Sequence, residues 1–366
     1  MSYPLPNKNQ TTQFRGLLLA WNKQENKRKM PWKGEKEPYK IWLSEVILQQ
    51  TRVEQGLDYY ERFIKKYPTI HDLALAKDEA VFKLWEGLGY YSRCRNLLAA
   101  ARFISFEKGG RFPNNYKDIL SLKGVGPYTA AAIASFAYQL PHAVVDGNVI
   151  RVIARFFGIT VATDTTEGKK IFTTLAELLL DKNAPHIYNQ AIMDFGATVC
   201  KPLSPSCLSC PLEKKCVAFQ EKKINELPRK KKKISITKRW FYYFILRCND
   251  KIFIQQREAK DIWNHLHEFY LLESNQAIKW TNKKAIAWVA KEFSIKNPVV
   301  KYISAERKQQ LTHQQINGVF IEVHIDKIPQ SLPANCWLSA KKINKLAFPR
   351  FITSFLAEKK LTLSNT

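Results

Sequence analysis

The feature that most constrains the fold of this chain is a change in apolar spacing on either side of a basic block. Residues 229–233 read RKKKK directly after Pro228, and like charges in series repel one another and resist packing. Before this block, apolar residues recur at helical spacing, as in YKIWLSEVILQQTRVEQGLDYYERFIKKY and YTAAAIASFAYQL. The sequence therefore predicts an all-helical first domain over residues 1–222 and a basic linker over residues 223–238.

The residues after the linker predict a mixed α and β second domain over residues 239–366. RWFYYFILRCNDKIFIQQRE reads as two β-rich runs joined by a Cys-Asn-Asp-Lys turn. NKKAIAWVAKEF has helical spacing, and the Asn-Gly of QQINGVFIEVHI suggests the turn of a second strand pair. These strand signals alone fit several α+β arrangements.

Net charge is the compositional signal that bears most on partners. The 366 residues carry 58 Lys and Arg against 32 Asp and Glu, a net charge of +26. Such a charge favours a polyanion, through phosphate contacts and counterion release, or an anionic membrane surface. No apolar run approaches the ~18 residues of a spanning helix, and the polar start MSYPLPNKNQTTQ lacks a signal-peptide core. We therefore expect a cytoplasmic protein with a nucleic-acid partner and no membrane partner.

Four of the seven cysteines crowd into the segment VCKPLSPSCLSCPLEKKC, with the spacing C-x6-C-x2-C-x5-C. In a reducing compartment this crowding is more typical of a metal site than of disulfides. Zinc modules usually bring two C-x2-C pairs from separate places, so a 4Fe-4S cluster is the better fit and zinc the alternative. The predicted ligands are Cys200, Cys207, Cys210 and Cys216.

A carboxylate interrupts the apolar side of a predicted helix in IWLSEVILQQTR. Glu45 shares a helix face with Ile41, Trp42 and Leu48, where its charged form would be poorly solvated. Poor solvation raises the pKa of a carboxyl and keeps its proton near neutral pH, as a general acid needs. Asp146 opens the next predicted helix in DGNVIRV, where the ordinary interpretation is an N-cap.

The segment SLKGVGPYTAAAI predicts a tight turn that leads into a helix. Gly124 and Gly126 bracket the turn, and Pro127 stands where a helix would begin. Backbone amides at such a helix N-terminus can hold a phosphate. An ordinary helix–helix turn is the alternative interpretation.

Taken together these motifs resemble the helix-hairpin-helix DNA glycosylases, and within them the adenine DNA glycosylases of the MutY type. The resemblance runs through PW at 31 and 32, WLSEVILQQTRV, LWEGLGYYSRCRNL, LKGVGPYTAAAI, VVDGNVIRV, YNQAIMDFGATVC and the four-cysteine loop. It implies an all-α glycosylase domain with a helix-hairpin-helix at about 118–140 and an iron–sulfur loop at 200–216. It also implies a smaller α+β Nudix-like domain at the C-terminal end.

The resemblance implies a role in base excision repair. The family removes adenine mispaired with 8-oxoguanine, or with guanine, from double-stranded DNA and leaves an abasic site. A glycosylase must take its base out of the stack, so a pocket and an intercalating wedge are required. We expect a monomer that associates with the nucleoid through DNA.

The resemblance also implies roles for the reacting residues. Glu45 matches the glutamate that protonates adenine at N7, and Asp146 matches the aspartate that stays ionised and stabilises the sugar cation. Tyr128 and Asn148 match positions that hydrogen-bond and orient this aspartate. Because related bifunctional enzymes carry a Schiff-base lysine at the position of Tyr128, we predict base removal without efficient strand cleavage.

Further residues match the family's DNA contacts. Gln50 and Tyr90 match positions that insert into the duplex, and Trp32 and Gln190 match positions that line the adenine pocket. Gly124 to Gly126 match the phosphate-holding turn.

In the second domain the family reads 8-oxoguanine with a Phe-Ser-His loop, for which this chain has Leu311, Thr312 and His313. Leucine cannot stack as phenylalanine does, although Thr312 keeps a hydroxyl that can hydrogen-bond.

Two other functions compete with this interpretation. One is an endonuclease III-like glycosylase of oxidised pyrimidines, and the other is a non-catalytic iron–sulfur DNA-binding protein. The second domain lacks an REx2EE-type acidic cluster for magnesium, which favours a binding module over a second enzyme.

Overall fold

The computed structural model describes residues 5–231, 235–259 and 261–358. It divides into two compact units, Met1–Leu75 with Arg95–Lys233, and Ala76–Cys94 with Ile234–Thr366. The predicted bounds assigned residues 76–94 to the first domain, whereas the structure groups them with the second unit. Residues 232–233, the end of the basic block, lie outside the described residues.

The chain up to residue 231 is helical, and its described residues contain no strand, as predicted. The helices are α1 Lys8–Gln24, α2 Pro38–Leu48, α3 Val53–Lys66, α4 Ile70–Leu75, α5 Asp78–Trp85, α6 Ser92–Arg102, α7 Tyr116–Ser121, α8 Pro127–Tyr138, α9 Gly147–Phe157, α10 Thr166–Leu179, α11 Pro185–Thr198 and α12 Val217–Gln220. A π-helical turn spans Phe103–Glu107, and 3-10 turns span Cys207–Ser209 and Glu213–Lys215.

Local sequence explains where several of these helices begin and end. Asn7 and Gln10 form a capping box at the start of α1, while α2, α8 and α11 each begin with a proline in the first turn. Gly158 is the C-cap of α9, and its φ of +67° is in the left-handed region that favours glycine. No helix in the described part of the chain is long and apolar enough to cross a membrane.

The second unit is built on a seven-stranded sheet, counted over the residues that the structure describes. Its two long strands, β1 Thr237–Cys248 and β8 Gln314–His324, pair in parallel along their length. The shorter strands of the sheet are β2 Lys251–Phe253, β5 Tyr270–Ser274, β6 Val299–Ile303, β7 Arg307–Gln310 and β9 Trp337–Ser339. Two further strands of this unit, β3 Gln255–Gln256 and β4 His267–Glu268, lie outside the sheet. Strand β8 pairs with β6, β7 and β1, and β1 also pairs with β5 and β2, while β9 follows β2 at the edge. Strands β3 and β4 form a separate pair.

Helices complete the second unit, with α13 Asn282–Phe293, α14 Ala340–Ile343 and α15 Arg350–Glu358. The predicted helix NKKAIAWVAKEF is α13, residue for residue. The predicted Cys-Asn-Asp-Lys turn is also confirmed, because Cys248 of β1 pairs with Lys251 of β2.

The predicted turn at Asn317-Gly318 is wrong, because both residues lie inside β8. The hairpin turn comes earlier, at residues 311–313 between β7 and β8, and Gly318 pairs with Arg307 across that hairpin. A Cβ on Gly318 would lie 2.6 Å from the Phe241 carbonyl oxygen and 2.7 Å from a Phe351 ring carbon. Gly318 therefore permits close packing between strands and helix rather than a turn.

The first part of the predicted linker belongs to the first unit. Leu227 is buried, and its carbonyl accepts a hydrogen bond from Arg155 Nε at 3.1 Å. The Thr163 amide donates to the Arg229 carbonyl at 3.0 Å, and the Lys231 amide donates to Asp164 at 2.8 Å. Residues 227–231 are thus held against α9 and the loop that follows it.

Helix α5 packs within the second unit although it lies early in the sequence. Val81 and Trp85 on this helix are fully buried. Lys83 Nζ donates to the Leu346 carbonyl at 2.9 Å, and Glu86 accepts from the Phe348 amide at 2.8 Å. These bonds join residues more than 260 positions apart in the sequence.

Candidate active site

Glu45 lies near the end of α2, a helix whose residues are nearly all buried. Its side chain is only 8% exposed. Burial raises the pKa of Glu45 to about 7; a hydrogen bond from Tyr128 opposes this shift, and the charge of Asp146 adds to it. The carboxyl can therefore carry a proton near neutral pH, as predicted from its apolar neighbours.

Asp146 is the N-cap of α9, in extended backbone with φ −100° and ψ −178°. Its carboxylate accepts from the Val149 amide at 2.7 Å and from Asn148 Nδ2 at 2.8 Å. Burial raises the pKa of Asp146, while these two hydrogen bonds and the charge of Arg151 act to lower it. Asn148 is thus in hydrogen-bond contact with the aspartate that it is predicted to orient.

Tyr128 has a different partner from the one predicted. Its hydroxyl hydrogen bonds to Glu45, rather than to Asp146, and lies 3.6 Å from Met193 Sδ. The reason is tertiary: α8 packs against α2, and Gln49 at the end of α2 donates to Thr129 at 3.2 Å. Burial, with the nearby carboxylates, raises the pKa of Tyr128 well above its ordinary value, so the phenol keeps its proton.

A cavity of about 850 Å³ joins these residues in the first unit. The predicted site residues that line it are Trp32, Glu45, Gln50, Tyr128, Asp146, Asn148 and Gln190. Both carboxyl groups therefore face one space large enough for a nucleotide base.

The two predicted wedge residues share an unusual backbone. Gln50 has φ +55° and Tyr90 has φ +47°, a left-handed conformation that is uncommon for non-glycine residues and frequent at functional sites. Both are exposed, Tyr90 to 47%. In the second unit the Tyr90 hydroxyl lies 2.8 Å from Thr312 Oγ1, so two predicted DNA contacts are directly bonded.

His313 follows Thr312 in the turn between β7 and β8. Its carbonyl accepts from the Thr237 amide at 3.0 Å, which ties the turn to the start of β1. The side chain of His313 shares an exposed turn with Leu311 and Thr312. The three residues that are expected to contact 8-oxoguanine therefore lie in one turn between β7 and β8.

The glycine turn has the geometry that the sequence predicts. Gly124 has φ +82°, and a Cβ there would lie 2.6 Å from Asn96 Cβ. Gly126 is the N-cap of α8 and Pro127 is its first residue. No side chain caps α8, which leaves the first amides of a twelve-residue helix available for an anion.

The four cysteines line one small cavity in the first unit. Arg155 Nη1 donates to Cys200 Sγ at 3.5 Å, and Cys216 Sγ lies 3.4 Å from the Arg155 carbonyl. No group of three or more His, Cys, Asp or Glu within residues 5–231, 235–259 and 261–358 is arranged to hold a single metal ion. Four sulfur donors around a shared cavity are the donor set of an iron–sulfur cluster, so the residues fit that group.

Comparisons with known proteins agree with this geometry. The family described as HhH-GPD superfamily base excision DNA repair protein matches residues 43–178, and the NUDIX domain family matches residues 242–358. The adenine DNA glycosylase of Buchnera aphidicola subsp. Baizongia pistaciae is 31% identical over 95% of this chain and 97% of its own length. The chain belongs to the adenine DNA glycosylase family.

Other relatives match a smaller share of this glycosylase. The human adenine DNA glycosylase is 44% identical over 58% of this chain and 40% of its own length. A solved structure of a thermostable thymine-DNA glycosylase has 31% identity and a TM-score of 0.54, and covers 58% of this chain and 98% of that one. More than half of this chain therefore shares its fold with a protein described as a thymine-DNA glycosylase.

Two residues of the candidate site were not identified from the sequence. Asp194 is fully buried in α11, one turn after Gln190, and lies behind the wall of the large cavity. The test that singled out Glu45, a carboxylate inside an apolar helix, would have found Asp194 in YNQAIMDFGATVC. Arg151 donates to Asn148 Oδ1 at 2.8 Å and to the Cys200 carbonyl at 2.7 Å, and its sequence context gives no such signal.

Proposed function

We propose that this glycosylase, acting as a monomer, hydrolyses the N-glycosidic bond of adenine paired with 8-oxoguanine or guanine in duplex DNA. The observation that carries the proposal is that a buried carboxyl with a pKa raised to about 7 and a second, hydrogen-bonded carboxyl line one cavity. A buried carboxyl that can keep its proton, beside a second carboxyl that is hydrogen-bonded in its charged form, is typical of the acid and electrostatic partners in glycoside cleavage.

In the proposed reaction Glu45 donates its proton to N7 of the flipped adenine. The bond from C1′ to N9 then breaks with its electron pair passing to the base, so adenine leaves neutral. Asp146 stabilises the sugar cation that remains, and water attacks C1′ while Glu45 takes up a proton. The product is an abasic site.

The neighbours of the two carboxyl groups support this division of labour. Asn148 holds Asp146 at 2.8 Å, and the amide of Val149 holds its other oxygen, which favours the charged form. Tyr128 donates to Glu45 and keeps its own proton. A tyrosine here cannot form a Schiff base, so we propose base removal without efficient strand cleavage.

For DNA recognition we propose that Gln50 and Tyr90 enter the duplex and that Gly124 and Gly126 hold a phosphate. The exposed side chains and left-handed backbones of Gln50 and Tyr90 support the first role. The uncapped N-terminus of α8 supports the second.

We propose that Thr312 and His313 read the base opposite adenine. Thr312 is hydrogen-bonded to Tyr90. The residue proposed to contact the opposite base would therefore be coupled to the residue proposed to enter the base stack. This coupling would suit an enzyme whose target base is undamaged, since specificity must come from the opposite base.

We propose that Cys200, Cys207, Cys210 and Cys216 bind a 4Fe-4S cluster. Their shared cavity supports this role. When bound, such a cluster would cross-link a loop whose described secondary structure consists of two 3-10 turns.

A single-turnover reaction tests the proposed substrate on duplexes that differ in one pair: adenine opposite 8-oxoguanine, guanine or thymine. We expect fast release from the first, slower release from the second and none from the third, with strand breaks seen only after hot alkali. Efficient nicking without alkali would contradict monofunctional cleavage, and equal rates on all three would contradict mispair recognition.

A further inference from the structure

Asp194 is surrounded by hydrogen-bond donors although it is 0% exposed. Its Oδ1 accepts from Arg28 Nη1 and from Gln190 Nε2, both at 2.9 Å. Its Oδ2 accepts from Asn26 Nδ2 and from Lys33 Nζ, again both at 2.9 Å. Four donors, two of them cationic, satisfy the carboxylate in its charged form.

Three of these donors belong to the wall of the large cavity. Arg28, Lys33 and Gln190 line it together with Glu45 and Asp146, whereas Asp194 itself does not. The carboxylate thus binds side chains from α11 and from the loop between α1 and α2, and holds them as one surface.

The contact between Asp194 and Gln190 decides which way the Gln190 amide faces. An ionised carboxylate can only accept hydrogen bonds, so Nε2 must point toward Asp194. Among the described residues no donor bonds to Oε1, so that acceptor is available to a base in the cavity. Adenine presents an exocyclic amine that donates, whereas a 6-oxo purine presents an acceptor at the same position.

We propose that Asp194 is a positioning residue that sets the base preference of the pocket through the orientation of Gln190. With Asp194 in place, the Gln190 amide offers an acceptor to the adenine amine and repels a 6-oxo group. The same carboxylate offsets the charges of Arg28 and Lys33, which would otherwise oppose a protonated base. The inference rests on the proposed adenine pocket.

The Asp194→Asn variant tests the inference because it keeps the shape of the side chain and can donate to Gln190, which permits the amide to reverse. The readout is affinity for duplexes with a non-cleavable 2′-fluoro nucleotide opposite 8-oxoguanine, carrying either adenine or hypoxanthine. Adenine has an amine at position 6 and hypoxanthine has an oxo group there. The 2′-fluoro substituent blocks cleavage, so binding of both bases is compared without turnover. We expect wild type to prefer adenine by about tenfold or more and the variant to lose about tenfold of that preference.

Matched variants separate positioning from loss of structure. Asp58→Asn removes an exposed carboxylate that pairs with Arg62, and should leave the preference unchanged. Gln190→Leu should lower the preference, and adding Asp194→Asn to it should lower it no further, since Asp194 acts through Gln190. Should Asp194→Asn fail to fold in thermal unfolding, Gln190→Leu alone still decides, because a preference kept with leucine overturns the inference.

The outcomes also distinguish this inference from the proposed function. A wild-type preference for adenine that survives in Asp194→Asn would overturn the role of Asp194 and leave the adenine pocket intact. Equal affinity of wild type for both bases would overturn the adenine pocket and the inference together.

Discussion

At the scale of single residues, the site depends on two carboxyl groups in different surroundings. Glu45 is buried in α2, and burial is the largest cause of its raised pKa. Asp146 is also buried, but a backbone amide and Asn148 hydrogen bond to its charged form. These different surroundings support the proposal that Glu45 acts as the acid and Asp146 as the charge.

The pKa of Glu45 predicts the pH dependence of base release. Because the proposed reaction needs Glu45 protonated and Asp146 ionised, the single-turnover rate should be highest below about pH 7 and fall about tenfold per pH unit above it. It should fall again at lower pH, where Asp146 takes up a proton. Glu45→Gln should lower the rate by about 10²–10⁴-fold and remove the fall above about pH 7. A profile that rises through pH 7, or a Gln variant of near-normal rate, would contradict the assignment.

The same shift predicts an effect on stability. The pKa of Glu45 rises from 4.5 to about 7 on folding, so its burial costs nothing below 4.5 and most above 7. We expect Glu45→Gln to raise the free energy of unfolding by about 3 kcal/mol at about pH 8, and by under about 1 kcal/mol at pH 5. Denaturant unfolding at both pH values checks this, with the exposed Glu61→Gln as control. A difference independent of pH would argue against a buried charge.

At the scale of elements, strand β8 shows how one small residue permits close packing. Gly318 lies between β1, β7 and the ring of Phe351 on α15, with no room for a methyl group. Because β8 pairs with three other strands, a displacement of its backbone at Gly318 would disturb the packing of the whole sheet.

We predict that Gly318→Ala destabilises the chain by roughly 1–3 kcal/mol, because the backbone of β1 must move. The matched control is Gly16→Ala in α1, where the new methyl group meets nothing within 4 Å. The control should stabilise by up to about 1 kcal/mol, because alanine is the better helix former. Denaturant unfolding measures both variants, and equal stability of the two would contradict this account of Gly318.

At the scale of the whole molecule, the second unit is not continuous in sequence. Helix α5 and the residues up to Cys94 belong to it, although the matched glycosylase family spans residues 43–178 without interruption. Tyr90, a proposed wedge, therefore belongs to the same unit as Thr312, a proposed reader.

We predict that a fragment of residues 1–233, which lacks most of the second unit, is less stable than the full chain. Val81, Phe82 and Trp85 are buried within the second unit and would lose partners. The fragment should bind a hydrophobic dye and unfold at lower temperature than the full chain. A fragment as stable as the full chain, without dye binding, would show that α5 does not need the second unit.

In the full chain, Glu86→Ala should lower the free energy of unfolding by about 1–3 kcal/mol, because it leaves the Phe348 amide without its acceptor.

Much of the site could be predicted from the sequence, because it depends on residues that are close in the chain. The N-cap at Asp146, the helix start at Pro127 and the buried position of Glu45 follow from helical spacing and capping rules. The family motifs then indicated which of these residues share a site, and the cavity contains those assigned to the base and the sugar.

Other features were decided only by the tertiary structure. Tyr128 bonds to Glu45, Gly318 packs instead of turning, and Asp194 holds three cavity residues from behind. The partners in these contacts are between 4 and 166 positions apart in the chain, and most lie on other elements. Local periodicity determines where a helix or strand forms and which face is apolar. Which side chains meet across those faces depends on the packing of elements that are distant in sequence, and only the folded chain determines it.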